Sequence, residues 1–174
     1  MNKRIILYLC DMHVEIEKMP DDARVWVYQS NREFTTEEEG KISLLTKEFL
    51  NTWTAHNQEL KASFEIRYHF FLVLMIDGKH ALASGCSIDK SIHFIQNLES
   101  QFSISLLDRQ IFALKEDGKI HLLMRKDFEK MIEKEISLDT IVFNNLVQTK
   151  HELNTKWEIP IRESWHAGIG AFRD

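Results

Sequence analysis

The stretch Ala62-Ser63-Phe64-Glu65-Ile66-Arg67-Tyr68-His69-Phe70-Phe71-Leu72-Val73-Leu74-Met75-Ile76 decides the fold class. Its first half alternates, with Phe64, Ile66 and Tyr68 on one side of an extended chain and Ser63, Glu65, Arg67 and His69 on the other. A period of two is that of a β-strand. Its second half, Phe70-Phe71-Leu72-Val73-Leu74-Met75-Ile76, is continuously apolar and reads as a central strand covered on both faces. One bent strand and a tight hairpin near His69 both fit the pattern. A two-residue hairpin turn favours Gly or Asn, and neither stands there. Asp77-Gly78 closes the element.

Upstream, Pro20-Asp21-Asp22 is a turn signal, and Arg24-Val25-Trp26-Val27-Tyr28-Gln29-Ser30 alternates as a strand. Val25 and Val27 take one face, and Arg24, Trp26 and Tyr28 the other. Thr35 followed by Glu38 is a capping box, and Glu37, Glu38 and Glu39 suit the positive end of a helix. Ile42, Leu45, Phe49 and Trp53 repeat at helical spacing, so a helix runs to about Thr54. Downstream, Ser84-Gly85-Cys86-Ser87 leads into a second helix with Ile88, Ile92, Ile95, Leu98 and Phe102 as its buried stripe. Glu116-Asp117-Gly118 between two alternating segments predicts a hairpin. A short helix from about Asp127 to Glu135 and a strand from Thr140 to Phe143 follow. The tail from Gln148 holds Trp157 and Trp165, which predicts docking onto the body.

This order predicts an α+β fold: an antiparallel or mixed sheet with helices mostly on one face, plus a small C-terminal hairpin-helix-strand unit. Pro20 and Pro160 are the only prolines and no Gly/Ser linker occurs. The expected organisation is a leader over 1–11, an α+β core over 12–108, and a unit over 109–174 packed on that core. The start, Met1-Asn2-Lys3-Arg4-Ile5-Ile6-Leu7-Tyr8-Leu9-Cys10-Asp11, has a basic end and an apolar run too short for a signal peptide; it reads as a short edge strand or an unneeded leader, with Met12 a candidate start.

The 174 residues are 44% hydrophobic and 28% charged, the balance of a globular protein rather than a disordered one. The net charge of −5 argues against a nucleic-acid coat, which needs a basic face. Cys10 and Cys86 form no CxxC, so a zinc site has no support, and sparse thiols fit a reducing cytoplasm. The phosphate-cradling GxxxxGK[ST] loop is absent, as are GxGxxG, HExxH and GxSxG. Gly168-Ile169-Gly170 is too short and too late for a nucleotide fingerprint. No segment approaches the ~18 apolar residues of a membrane span, and no cofactor is implied.

Four stretches carry a resemblance: Asp21-Asp22-Ala23-Arg24-Val25-Trp26-Val27-Tyr28-Gln29, Leu60-Lys61-Ala62-Ser63-Phe64-Glu65-Ile66-Arg67-Tyr68, Ser84-Gly85-Cys86-Ser87-Ile88-Asp89 and Asp139-Thr140-Ile141-Val142-Phe143-Asn144-Asn145-Leu146-Val147. They are similar to a family of small bacterial proteins with no established activity, often labelled "ABC transporter ATPase". The likeness spans Met12 to about His166, and family members begin near the equivalent of Met12. That label implies nucleotide hydrolysis, for which this sequence lacks both the phosphate loop and an LSGGQ-like signature. The stretch from Asp127 to Phe143, with Ser137-Leu138-Asp139-Thr140-Ile141-Val142-Phe143 at its end, resembles part of GYF-like peptide-binding modules, without their aromatic signature.

Three candidate sites follow from the residues. If the two strands adjoin, Arg24, Trp26 and Tyr28 with Glu65, Arg67 and His69 form a polar-aromatic sheet face for a protein partner or a small anionic ligand. The alternatives are a solvated sheet face with cross-strand ion pairs, a face covered by the C-terminal tail, and a packing role for Trp26. Gly85, Cys86 and Ser87 at a helix start offer N–H groups to an anion and favour a thiolate. Cys86 with His93 and Asp89 is then a conceivable catalytic set; the alternative is Ser87 as N-cap and Cys86 as a small buried residue. Asp77, Asp89 and Asp108 are scattered acids without metal-ligand spacing, and Asp108-Arg109 suits a local pair or turn. His56, His121 and His151 read as isolated. The favoured expectation is a cytoplasmic, non-catalytic binding protein using the sheet face, with the Cys86 enzyme as the alternative.

Overall fold

The computed structural model describes residues 15–55, 58–79, 85–133 and 137–169. The expectations for the leader, Met12, His56, Ser84 and Gly170 lie outside the described residues. A 3-10 turn at Ile16–Lys18 leads into β1 (Arg24–Gln29), followed by α1 (Thr36–Thr52) and a minimal ladder of β2 (Thr54–Ala55) with β3 (Gln58–Glu59). Then come β4 (Ala62–Arg67), β5 (Phe71–Ile76) and α2 (Gly85–Phe102). The C-terminal part contributes β6 (Ile111–Glu116), β7 (Lys119–Met124), α3 (Arg125–Glu133), β8 (Ile141–Phe143), α4 (Lys150–Thr155), β9 (Glu158–Pro160) and two closing 3-10 turns. The class is α+β, with one antiparallel sheet ordered β1-β5-β4 and another ordered β7-β6-β8-β9.

The continuous apolar run of β5 has a direct cause. Every residue from Phe71 to Ile76 is buried, at the centre of the first sheet. Leu72 and Leu74 pack with Ile42, Ile95 and Leu98 of α1 and α2. Phe71, Val73 and Met75 pack on the other side, with Ala113, Phe143 and Trp157 of the C-terminal part. The second sheet therefore covers the face that α1 and α2 leave open. Its own far side, through Phe112, Leu114 and Val142, packs on Phe128 of α3 and on Ile161 and Ile169. The order of layers is helices, sheet, sheet, helix. As the sequence predicts, α1 and α2 gather on one face of the first sheet, and α3 belongs to the C-terminal unit; each sheet needs two covers and each serves as a cover for the other.

The bent-strand alternative is settled in favour of a hairpin. Tyr68 and His69 both adopt positive φ, 54° and 59°, and Phe70 N–H donates to the Arg67 carbonyl at 3.1 Å. Two left-handed central residues are what a type I′ turn requires, here without Gly or Asn. For a Tyr this backbone is strained, so tertiary contacts must hold it. The Tyr68 hydroxyl donates to Glu158 at 2.6 Å and accepts from Lys115 at 2.9 Å, while its ring packs edge-on against Phe143. His69 Nδ1 meets the Glu39 carboxylate at 2.9 Å, and its carbonyl accepts from Phe34 N–H at 2.7 Å. The β6–β7 hairpin makes the same turn with the expected residues, Asp117 and Gly118, at φ 49° and 76°.

The capping box at α1 forms in full, with Thr35 Oγ1 accepting from Glu38 N–H and the Glu38 carboxylate accepting from Thr35 N–H. Arg32 also grips Glu38 through two nitrogens, at 2.8 and 2.7 Å, which holds its carboxyl well down, at about 2.

Candidate functional site

β1 and β4 are not neighbours; β5 lies between them. The register aligns Trp26, Leu74 and Phe64 in one row, and Val27, Val73 and Glu65 in the next. Residues directly opposite one another in a sheet share a face. Arg24, Trp26 and Tyr28 therefore lie on the helix-covered face, whereas Glu65 and Arg67 lie on the face toward the second sheet. The polar-aromatic patch expected from the sequence is not assembled, and its two halves are on opposite sides. Tyr28 is buried under α2, with its hydroxyl pushed up by burial, and Trp26 packs against Trp53 at 5.9 Å. Arg67 pairs with Glu65 at 2.6 Å in an alignment poor for hydrogen bonding, and stacks on Trp157 at 5.1 Å. Burial raises the Glu65 carboxyl despite that pairing. His69 sits at the turn and reaches α1. The face assignment failed because polarity marks a solvent face only where one face is wet, and this sheet is covered on both.

The helix-start candidate also resolves differently. Gly85 and Cys86 open α2 and are exposed, so Cys86 is not the buried residue of the alternative reading. Ser87 is no N-cap: it lies inside α2, fully buried, and its carbonyl accepts from the Trp53 indole N–H at 2.8 Å. His93 Nδ1 donates to the Asp89 main-chain carbonyl at 2.7 Å, so the Asp89 carboxylate does not orient the ring. Seven residues of helix separate Cys86 from His93 by about 10 Å along the axis. Asp77 pairs with Lys61 at 3.2 Å, and Asp108 accepts from Gln110 N–H at 2.8 Å. Among the described residues no group of acids, His or Cys is placed to hold a metal, and no helix is long and apolar enough to cross a membrane.

What the fold does assemble lies along the outer edge of β1. In an antiparallel ladder alternate residues bond to the partner strand, and those between turn N–H and C=O outward. Ser30 N–H donates to Phe70 across the ladder, which assigns even-numbered residues to β5 and turns Val25, Val27 and Gln29 outward. At one end Val25 N–H donates to the Gln148 carbonyl at 2.9 Å, and Lys150 N–H to Ala23 at 2.9 Å. At the other end Asn31 N–H donates to the Ser105 carbonyl at 3.0 Å. Between these points the chain turns away, because Gln148 N–H is taken by the Glu152 carboxylate and Leu146 N–H by the Asn144 side chain. The Val27 N–H and C=O are left without a partner among the described residues.

This open edge faces a cavity of about 440 Å³ bounded by the 106–109 loop, the 145–148 loop, Phe112, Trp165 and His166. Its floor is tied by two side-chain amides, of buried Gln29 and half-buried Asn145. Gln29 Nε2 donates to the Ile111 carbonyl at 3.0 Å, Asn145 Nδ2 donates to Gln29 Oε1 at 2.8 Å, and Trp157 Nε1 donates to Asn145 Oδ1 at 3.0 Å. That chain of bonds joins the edge of the first sheet to the second. Leu146 and Trp165, two of the exposed large hydrophobic residues, stand at the rim with 60% and 44% exposure. Trp165 is held by stacking on His166 at 3.9 Å and by the edge of Phe112 at 5.6 Å. Burial lowers the His166 imidazole to about 4, so it is neutral at pH 7, and Ser164 bonds its Nδ1. Sequence patterns missed Val27, Gln29, Asn145 and Leu146, because an open backbone edge leaves no mark on side-chain type. Trp165 was legible only as a docking tail residue.

No known protein family, curated protein or solved structure matches the chain.

Proposed function

We propose that this protein is a non-catalytic binding protein that takes a short extended polypeptide segment against the open edge of β1. The observation that carries the reading is the Val27 N–H and C=O, unpaired among the described residues, framed by Gln148 and Ser105 and facing a largely apolar cavity. Main-chain hydrogen bonds from a strand edge supply affinity for any extended chain, and the flanking pockets supply selectivity. The cavity volume falls within the range usual for ligand sites. An exposed Trp with a rigid backing suits a side chain of the guest. The sparse cysteines fit a cytoplasmic setting.

The test is amide hydrogen exchange in the free protein and with a pool of randomised hexapeptides. In the free protein Val27 and Gln29 N–H exchange quickly and Trp26 and Tyr28 slowly. With the pool, Val27 N–H becomes protected. Val27→Pro removes that donor while sparing the ladder to β5, as an edge position tolerates, and abolishes capture; Trp165→Ala weakens it if the proline variant fails to fold. Slow exchange at Val27 in the free protein, or no protection with the pool, refutes the reading.

A further inference from the structure

Six arginines fall among the described residues, and four are paired with carboxylates: Arg32 with Glu38, Arg67 with Glu65, Arg125 with Glu129 and Arg162 with Asp139. The two without a carboxylate partner among the described residues, Arg24 and Arg109, both line the cavity beside β1. Both are exposed, and Arg24 is steadied over the Trp26 ring at 5.1 Å. They stand toward opposite ends of the open edge. Arg24 heads β1 where Thr149 bridges to it, and Arg109 precedes Ile111, whose carbonyl is bonded by Gln29. Asp108 is the acid of the lining, and its carboxylate is engaged by Gln110 N–H. His166, neutral at pH 7, adds no charge. The slot thus has apolar walls, an open main-chain edge and an excess of guanidinium.

The slot is also closed at both ends. From the Val25 carbonyl to the Gln29 carbonyl it offers about four residues of edge, or about 13 Å. Beyond them the chain's own Gln148 and Ser105 occupy the edge. A polypeptide passing through must leave the edge at both ends, whereas one that terminates there need leave it at only one. A terminal carboxylate also places two acceptor oxygens where a guanidinium can bind them in bidentate fashion.

We infer that the slot holds the extended C-terminal end of a peptide chain, with its carboxylate bound by Arg24 or Arg109. This rests on the strand-edge reading above and specifies its ligand. The experiment presents the full-length protein with two pools of randomised hexapeptides, one with free C-terminal carboxylates and one with carboxamides, and quantifies the captured peptides by mass spectrometry. The expected result is capture from the carboxylate pool at least tenfold above the carboxamide pool. In Arg24→Gln/Arg109→Gln that preference disappears while the melting temperature is unchanged, both side chains being exposed. The single variants identify which guanidinium holds the carboxylate. Equal capture from both pools overturns this inference and leaves strand addition standing. Undiminished preference in the double variant also overturns it, and no capture from either pool overturns both readings.

Discussion

Replacing Gln29 with Leu tests whether the amide chain Ile111–Gln29–Asn145–Trp157 holds the two sheets together. Gln29 is 7% exposed, and its side chain satisfies the Ile111 carbonyl and the Asn145 amide, at 3.0 and 2.8 Å. Leu keeps much of the volume and removes both bonds. Each buried polar group left without a partner costs about 1–3 kcal/mol, so the variant loses about 2–4 kcal/mol once partial rehydration from the cavity is allowed for. For a domain of this size that is a fall of roughly 5–15 °C in melting temperature. Urea unfolding followed by tryptophan fluorescence measures it directly, Trp157 being the far end of the chain. Gln29→Leu/Asn145→Leu removes both members of the central bond, so its loss falls short of the sum of the single losses, a coupling of about 1 kcal/mol or more. A single variant within about 0.5 kcal/mol of the parent, the ordinary scatter of surface changes, refutes the argument that these bonds satisfy buried groups.

Other consequences are as direct. His69→Gly exchanges a left-handed non-glycine residue for one without that strain, at the cost of an exposed pair with Glu39, and raises stability by about 0.5–1 kcal/mol in chemical denaturation; a loss shows that the Glu39 contact outweighs the strain. Thr35→Ala removes the acceptor for Glu38 N–H and lowers stability by about 1 kcal/mol, with no change expected if the cap is idle. His166 makes the fold acid-sensitive. Its imidazole lies near 4 in the folded protein and near 6.5 unfolded, so between those values the unfolded chain binds a proton that the native state does not. The stability associated with neutral His166 is complete above pH 6.5 and is lost as the pH falls toward 4, by up to about 3 kcal/mol. In His166→Phe the pH profile of urea midpoints flattens in that window, and an unchanged profile assigns the sensitivity elsewhere.

The α+β class, the helix cap at Thr35, the Asp117-Gly118 hairpin and the doubly buried strand from Phe71 to Ile76 were all legible in the sequence. Each depends on local chemistry: a hydroxyl three residues before a Glu, a residue free to take positive φ, an uninterrupted apolar run. The Tyr68-His69 turn was not decidable that way, because the contacts that hold it come from Glu158, Lys115 and Glu39, far along the chain. The candidate site was legible least of all. Trp26 and Arg67 each stand in an alternating segment, at positions the sequence assigns to one shared face. Which side each one takes depends on the sheet order and register, with β5 inserted between their strands. Only the tertiary structure decided that a second sheet covers the first, that the loops at 105 and 148 stop short of meeting, and that Val27 is left facing a cavity between them. Local sequence encodes the periodicity of each element, whereas an open strand edge is a backbone property, created where long-range packing withholds a partner.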